Sequence, residues 1–392
     1  MLKQKRSDDL ICYSHLRWGF VYQRPQHLMS RFAKQRRVFF IEEAERADID
    51  EADLRVRICE HSQVRIVTPL VPQQIGQWRI AAITAKLLEQ FFTTQAIRAH
   101  IAWIYTPMAL DVMPRARARV VVYDCMDELS LFRGAPPELV AKEKELFAMC
   151  DLVFTGGMSL FEAKRHQHSA VYAFPSSVDC EHFRQARTLA DTAEDQRNLP
   201  HPRLGYAGVI DERIDLPLIE HIADARPEWQ VVMIGPTAKI DPATLPKRPN
   251  IHWLGMKSYA DLPRYFAGWD AALMPFAIND ATRFISPTKT PEYLAAGLPV
   301  VSTPIRDVVR QYGQLGLARI GSNPQQFLAE AERALTFGMS MKWRERADAF
   351  LSTLSWDRTW QTMNTLIGEL TEAKPKATMT AISAPLLSGG AA

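Results

Sequence analysis

The sequence predicts an α/β chain built from two doubly wound parallel sheets, and three observations point there. Length is the first: 392 residues is about two and a half times a ~150-residue domain, so two ordinary domains are expected. Composition is the second. With 47% hydrophobic and 23% charged residues the chain matches folded globular proteins and excludes a disordered or fibrous class. The third is a series of short β-branched and aromatic runs, spaced so that helices fill the intervals, which is the pattern of a parallel sheet with helical crossovers.

In the first half the runs are Leu10-Ile11-Cys12-Tyr13, Val38-Phe39-Phe40-Ile41, Val64-Arg65-Ile66-Val67, Ile101-Ala102-Trp103-Ile104-Tyr105, Val120-Val121-Val122-Tyr123 and Leu152-Val153-Phe154. A second series holds Leu204-Gly205-Tyr206-Ala207, Gln230-Val231-Val232-Met233-Ile234, Ile251-His252-Trp253-Leu254, Ala271-Ala272-Leu273-Met274 and Pro299-Val300-Val301-Ser302. Domains over 1–183 and 203–355 follow. The stretch 184–202 is polar, ends in Leu199-Pro200-His201-Pro202, and reads as a linker. Trp360, Met363 and Ile367 recur at helical spacing, so a helix over 356–370 is expected to pack back on the first domain. Residues 371–392, rich in Ala, Ser, Thr, Pro and Gly, read as a disordered tail.

No apolar run approaches the ~20 residues that span a bilayer, and the polar start is unlike a signal peptide; a cytoplasmic protein is expected. The five cysteines are odd in number and lack C-x-x-C spacing, which points to free thiols, not a disulfide framework or a cysteine zinc site. Net charge is +3 but unevenly spread. Residues 1–119 hold 19 Lys and Arg against 12 Asp and Glu, and the remainder 28 against 32. The basic half suits a polyanionic or lipid-linked substrate, or peripheral contact with an anionic membrane. No nucleic-acid module accompanies it. A solvated basic face is the plainer alternative.

In open parallel sheets, ligands bind beyond the carboxyl ends of the strands, where helix N-termini attract phosphate. The segment Phe284 to Thr303 has that form: a polar loop, a helix closed by Gly297, then a buried strand. Ser286, Thr288, Lys289 and Thr290 offer donors for a diphosphate, and Glu292 one turn later offers acceptors for ribose hydroxyls. Simple helix capping also suits this loop. After the first strand, Gly19 permits close approach of a ligand, while His15, Arg17 and Arg24 are candidates for phosphate or an anionic acceptor; surface charges and carboxylate pairs are their plainer roles. At the end of another strand, Asp127 is the candidate general base or acceptor ligand, with Asp124 as the alternative. Loop capping suits both acids as well. Thr155-Gly156-Gly157-Met158-Ser159 reads as a tight strand-to-helix turn.

Four blocks, in order, carry a resemblance. Pro291-Glu292-Tyr293-Leu294-Ala295-Ala296-Gly297-Leu298-Pro299-Val300-Val301 resembles the E-x-x-A-x-G-x-P-V-V block of family 4 (group 1) glycosyltransferases. Pro175-Ser176-Ser177-Val178-Asp179-Cys180-Glu181-His182-Phe183 is similar to their P-N-G-V-D-x-x-x-F segment, and Gly205 to Arg213 to their G-x-x-x-x-K opening, with Arg213 standing at the phosphate-binding lysine. Trp253-Leu254-Gly255 resembles the F-x-G turn near the base. The resemblance implies the GT-B fold, two Rossmann-like domains, with a nucleoside-diphosphate sugar (a UDP-sugar, for instance) held by Arg213, Gly255, Lys289 and the ribose-binding Glu292, and with Gly19 near the phosphates. It departs from the family eight residues before Glu292, where a second glutamate often stands and this chain has Phe284; Asn279 is the nearby candidate for that place.

The implied activity is transfer of a sugar to a hydroxyl of a glycan, lipid-linked or polysaccharide-precursor acceptor, with no cofactor and no essential metal. Asp48-Ile49-Asp50 has metal-binding D-x-D spacing but polar neighbours, as in a solvated turn, and His166-Gln167-His168 lacks further ligands at metal-site spacing. A nucleotide-sugar epimerase of the same fold, or a degenerate protein that binds nucleotide without turnover, are the competing readings.

Overall fold

Buried β-branched runs form the strands, and helices cover both faces of each sheet, as parallel strands require. The computed structural model describes residues 8–114, 118–337 and 340–373. Within them the first domain contributes β1 (Asp9–Ser14), β2 (Val38–Glu42), β3 (Glu45–Ala47), β4 (Asp53–Ile58), β5 (Arg65–Pro72), β6 (His100–Ile104), β7 (Val120–Cys125), β8 (Leu152–Thr155) and β9 (Val171–Ala173). Their order is β3-β5-β2-β1-β6-β7-β8-β9, with β4 added to β5. The second domain holds β10 (Arg203–Ala207), β11 (Gln230–Ile234), β12 (Ile251–Trp253), β13 (Ala271–Met274), β14 (Val300–Ser302) and β15 (Ala318–Ile320), ordered β12-β11-β10-β13-β14-β15. All pairings are parallel except β4 with β5.

The two-domain doubly wound class expected from the sequence is therefore the fold observed, and all eleven predicted runs coincide with strands, while β3, β4, β9 and β15 match none of them. The exceptions are short or lie at edges. In β4, Leu54, Val56 and Ile58 alternate with Asp53, Arg55 and Arg57, so the period is that of a strand, but its charged, largely exposed side chains hide it among polar neighbours. Asp48 and Asp50 lie in the exposed connection between β3 and β4, as a solvated turn should.

The 184–202 connection is packed, not a free tether. Phe183, Ala186 and Ala193 join the hydrophobic core of the second domain, and the fully buried Gln196 donates to the Tyr265 carbonyl while accepting from the Trp269 indole. Its few apolar residues are thus used in pairs with buried amide contacts, which a polarity count misses. The last helix, Trp356–Ala373, lies against the first sheet. Trp356, Met363 and Ile367 are buried with Leu10, Val38 and Val120, and Arg36 donates to Asn364 Oδ1 at 2.9 Å. The helix extends three residues past the expected end; residues 374–392, the remainder of the expected tail, lie outside the described residues. Among the described residues no helix is long and apolar enough to cross a membrane, and all five cysteines are free thiols.

Candidate active site

In both sheets the strand order reverses at one strand, β1 in the first and β10 in the second. Crevices open beyond the carboxyl ends of such strands, and here the two crevices face each other across one cleft. From the first domain come Tyr22, Gln23 and Arg24 after β1, Met126 and Asp127 after β7, and Gly156 after β8; from the second come Gly208, Val209 and Arg213 after β10, Phe276 after β13, and Ser286 to Lys289 at the start of a helix.

Direct contacts close the domains on each other. The Ser159 backbone N–H donates to Asp307 Oδ1 at 3.0 Å, its hydroxyl binds the same oxygen, and Ser176 Oγ donates to the Ser286 carbonyl at 2.7 Å. Gly157 explains its own identity here, since an added Cβ would collide with the Asp307 carboxylate and stand 2.7 Å from Ser286 Cβ. The turn is tight, as the sequence suggested, but the glycine is required by the opposing domain.

Asp127 stands where the sequence placed it, just past β7 and lining the cleft. Burial raises its pKa to about 6; Arg213 pulls down, Asp211 pushes up, and Arg24 and Lys239 pull down less. A carboxyl titrating there accepts a proton near neutral pH while being ionised in most molecules at pH 7, the condition for a general base.

Asp124 differs sharply, and the alternative assignment of this residue as catalytic is corrected. Its side chain is fully buried and takes Arg24 Nε at 3.0 Å and Arg24 Nη2 at 2.7 Å. Arg24, also buried, spends its remaining nitrogen on the Phe174 carbonyl at 2.8 Å. A bidentate pair of this kind satisfies both groups, so Arg24 shapes the cleft wall and is not a free cation for phosphate. Asp124 lies within the strand and Asp127 beyond it, and of the two only Asp127 lines the cleft.

Arg213 is held by Asp211 through Nε at 2.9 Å and Nη2 at 2.7 Å. Burial disfavours its charge, but the hydrogen bonds and charge of Asp211 outweigh this and raise its pKa. The cation is thus fixed at the cleft wall. Across the cleft floor, Lys289 Nζ meets Glu292 Oε2 at 2.8 Å; the lysine lines the cleft and the glutamate is buried behind it. Ser286 and Thr288 line the same loop. Thr290 is fully buried and its hydroxyl has no hydrogen-bond partner.

The remaining candidates fall elsewhere. Arg17 donates to the Glu43 carbonyl at 2.8 Å and pairs with Glu42 at 3.4 Å, which is a loop-bracing role. Gly19 is exposed, and an added Cβ would meet nothing within 4 Å, so the fold itself does not demand glycine there. Gly255 adopts φ +69° in a turn and accepts from Gly235 N–H at 2.9 Å; it braces neighbouring loops behind the cleft lining. Asn279 caps the short helix Asp280–Thr282 and donates to the Glu212 carbonyl at 3.0 Å, so it is a brace and does not stand in for the missing glutamate. The His15 ring is held neutral, its pKa lowered to about 4 by burial and by Lys239, and its Nδ1 is buried without a partner. Lys239 and Phe132 escaped the sequence reading. Scanning the residues after every predicted strand would have reached Lys239, five residues beyond Ile234.

Residues 201–336 match the family described as Glycosyl transferases group 1. A relative from Bacillus subtilis (strain 168), named as the teichuronic acid biosynthesis glycosyltransferase TuaH, is 27% identical over 158 residues, 39% of this chain and 40% of that protein's own length. Among solved structures, sucrose-phosphate synthase from Thermosynechococcus elongatus superposes with a TM-score of 0.66 at 13% identity, covering 94% of this chain and 100% of that one. A trehalose-6-phosphate structure from E. coli bound with UDP-2-fluoro glucose gives 0.65 at 13% identity, with 93% and 99% covered. Anabaena Alr3699/HepE in complex with UDP and glucose gives 0.60 at 12% identity, with 92% and 99% covered. At these identities the likeness establishes the fold, and that fold is GT-B.

Proposed function

We propose that this chain, a group 1 glycosyltransferase of the GT-B fold, transfers a sugar from a nucleoside-diphosphate sugar to a hydroxyl of a glycan, lipid-linked or polysaccharide-precursor acceptor. One observation carries the reading: a carboxylate poised near neutrality on the first domain, Asp127, shares a cleft with two fixed cations of the second, Arg213 and Lys289. The neighbours crystallised with UDP or a UDP-sugar analogue support a nucleotide donor.

In this reading the second domain takes the nucleotide. Glu292 steers Lys289 with Oε2 and offers Oε1 to the ribose, while Arg213, Lys289 and the N–H groups at the start of the Lys289–Ala296 helix stabilise the departing diphosphate. That is electrostatic preorganisation supplied by side chains, with no metal ion required. Asp127 accepts the proton of the acceptor hydroxyl as it attacks the anomeric carbon, or orients that hydroxyl. A thermal-shift screen over nucleoside diphosphates tests the donor half, because a ligand of the native state raises its melting temperature. Nucleotide release that depends on an added acceptor and persists in EDTA supports transfer; binding without any turnover removes it, and conversion of the donor into an epimeric nucleotide sugar with no net nucleotide release favours the epimerase alternative.

The donor site makes a sharper expectation. Glu292→Gln should weaken nucleotide binding by about 10- to 150-fold, the ~1.5–3 kcal/mol of a lost charge-assisted hydrogen bond, and Arg213→Met should weaken the diphosphate far more than the nucleoside. Calorimetric titration of both ligands reads this out. Equal losses for nucleoside and diphosphate in Arg213→Met would mean a disturbed fold, a real prospect because Asp211 would lose its buried partner.

A peripheral station at an anionic membrane belongs to the same proposal. The basic excess lies in residues 1–119, and there Trp78 is 84% exposed beside Arg79. Sedimentation with phosphatidylglycerol vesicles at low salt, reversed at high salt, is expected; protein left in the supernatant at low salt would discard it.

A further inference from the structure

We propose that Lys239 reads an acidic group on the acceptor, so that the transferase acts on a phosphorylated or carboxylated sugar. This rests on the transfer reading above and names its acceptor class.

Lys239 sits in the loop after β11 with φ +59°, a left-handed conformation that residues other than glycine seldom adopt. Strained backbone of this kind is concentrated at ligand sites. The loop carries an exposed ammonium to the opposite domain, where it stands 5.3 Å from the centroid of the Phe132 ring. The Arg213 guanidinium is also 5.3 Å from that ring. The two cations differ in one respect: Arg213 is paired with Asp211, whereas among the described residues no carboxylate stands within 4 Å of Lys239.

Two further groups at this mouth lack partners. His15 Nδ1 and Glu212 Oε2 are buried without hydrogen bonds, while Glu212 Oε1 accepts from the Arg133 backbone N–H at 3.2 Å, next to Phe132. The charge of Lys239 is felt at His15, Glu43 and, least of the named groups around it, at Asp127, so it stands within electrostatic reach of the proposed base. An unpaired ammonium, a neutral imidazole and an unpaired carboxylate oxygen together fit a sugar that offers hydroxyls to His15 and Glu212 and an anion to Lys239. A neutral sugar would leave the ammonium with Glu43 and Asp127 in electrostatic reach but no anion in direct contact. Buried polar groups left without partners are uncommon in native structures, and a ligand of this class satisfies the two that are buried here, His15 Nδ1 and Glu212 Oε2, while the exposed Lys239 ammonium exchanges water for the anion.

The test uses the full chain saturated with whichever of UDP, GDP or ADP most raises its melting temperature. Calorimetric titrations of inorganic phosphate, glucose 6-phosphate, glucuronate and glucose follow. Binding of at least one anion, with glucose tenfold or more weaker, is expected. Lys239→Met and Lys239→Gly should each weaken that anion by about tenfold or more and leave nucleotide affinity unchanged. Glycine accepts the left-handed turn, so its agreement with methionine excludes a distorted loop. Preference for glucose 6-phosphate over glucuronate identifies a phosphate, and the reverse a carboxylate. No anion binding by the wild type, equal binding by the variants, or a parallel fall in nucleotide affinity would each overturn the proposal. If no nucleotide binds at all, the donor reading fails on its own, and the same titrations on the free protein still decide the role of Lys239.

Discussion

Asp127→Asn should cut turnover by about 10²–10⁴, the usual contribution of a positioned general base, while donor affinity stays at its wild-type value. Asparagine keeps the size and one acceptor oxygen but takes no proton at neutral pH. In the wild type, turnover should rise with pH through about 6 as the carboxylate forms; the variant should show no such limb. Stability offers an independent check of opposite sign. The folded pKa of about 6 lies above the ordinary aspartate value of about 3.9, so the folded state binds more protons between those values. The stability contributed by this group is then complete below pH ~4 and lost as pH rises through ~6. Asparagine escapes that loss. The variant should therefore be more stable than wild type at pH 8 by on the order of 1–3 kcal/mol, with the advantage gone near pH 4. A rise in acceptor KM with little change in kcat would make Asp127 an acceptor clamp in a mechanism needing no base. Wild-type kinetics with lower stability would reduce it to a loop cap.

What the sequence disclosed follows from how far each signal travels along the chain. Strands such as β11, Gln230–Ile234, are legible because a fully buried strand is written as consecutive apolar residues. The donor loop is legible because its signal is also local, since Ser286, Thr288, Lys289 and Glu292 fall within seven residues at the start of one helix. Contacts between distant segments leave no such trace. Ser159 meets Asp307 across 148 positions, and no local pattern announces that Gly157 must lack a side chain to let that contact form. Asp124 and Asp127 show the limit most plainly: three residues apart and chemically identical, they part company because β7 continues through Cys125, burying one carboxylate within the strand and leaving the other past its end. Lys239 went unread because its loop matches no motif, and its significance comes from a ring 107 positions earlier.

The buried pair behind the cleft predicts the largest loss of stability. Asp124→Asn removes the charge that compensates Arg24 while keeping volume, and both side chains are almost wholly buried. Breaking such a pair by removing one partner costs about 3–5 kcal/mol, because the guanidinium remains desolvated. Denaturant unfolding should show this as a lower midpoint with an unchanged slope. A second measurement separates the pair's electrostatics from its packing. In the double variant Arg24→Met, Asp124→Leu no charge is left buried, and well-packed apolar replacements of buried ion pairs are often neutral or stabilising; most of the loss should be recovered. The singles Arg24→Met and Asp124→Leu and their double then form a cycle whose coupling energy measures the interaction itself. The cycle also adjudicates between the two aspartates. If Asp124→Asn unfolds at the wild-type midpoint yet abolishes turnover, Asp124 returns as a proton acceptor and its pairing with Arg24 is incidental. If stability falls, and the residual folded protein turns over with the pH dependence of Asp127 intact, Asp124 holds the wall against which the reacting groups are placed.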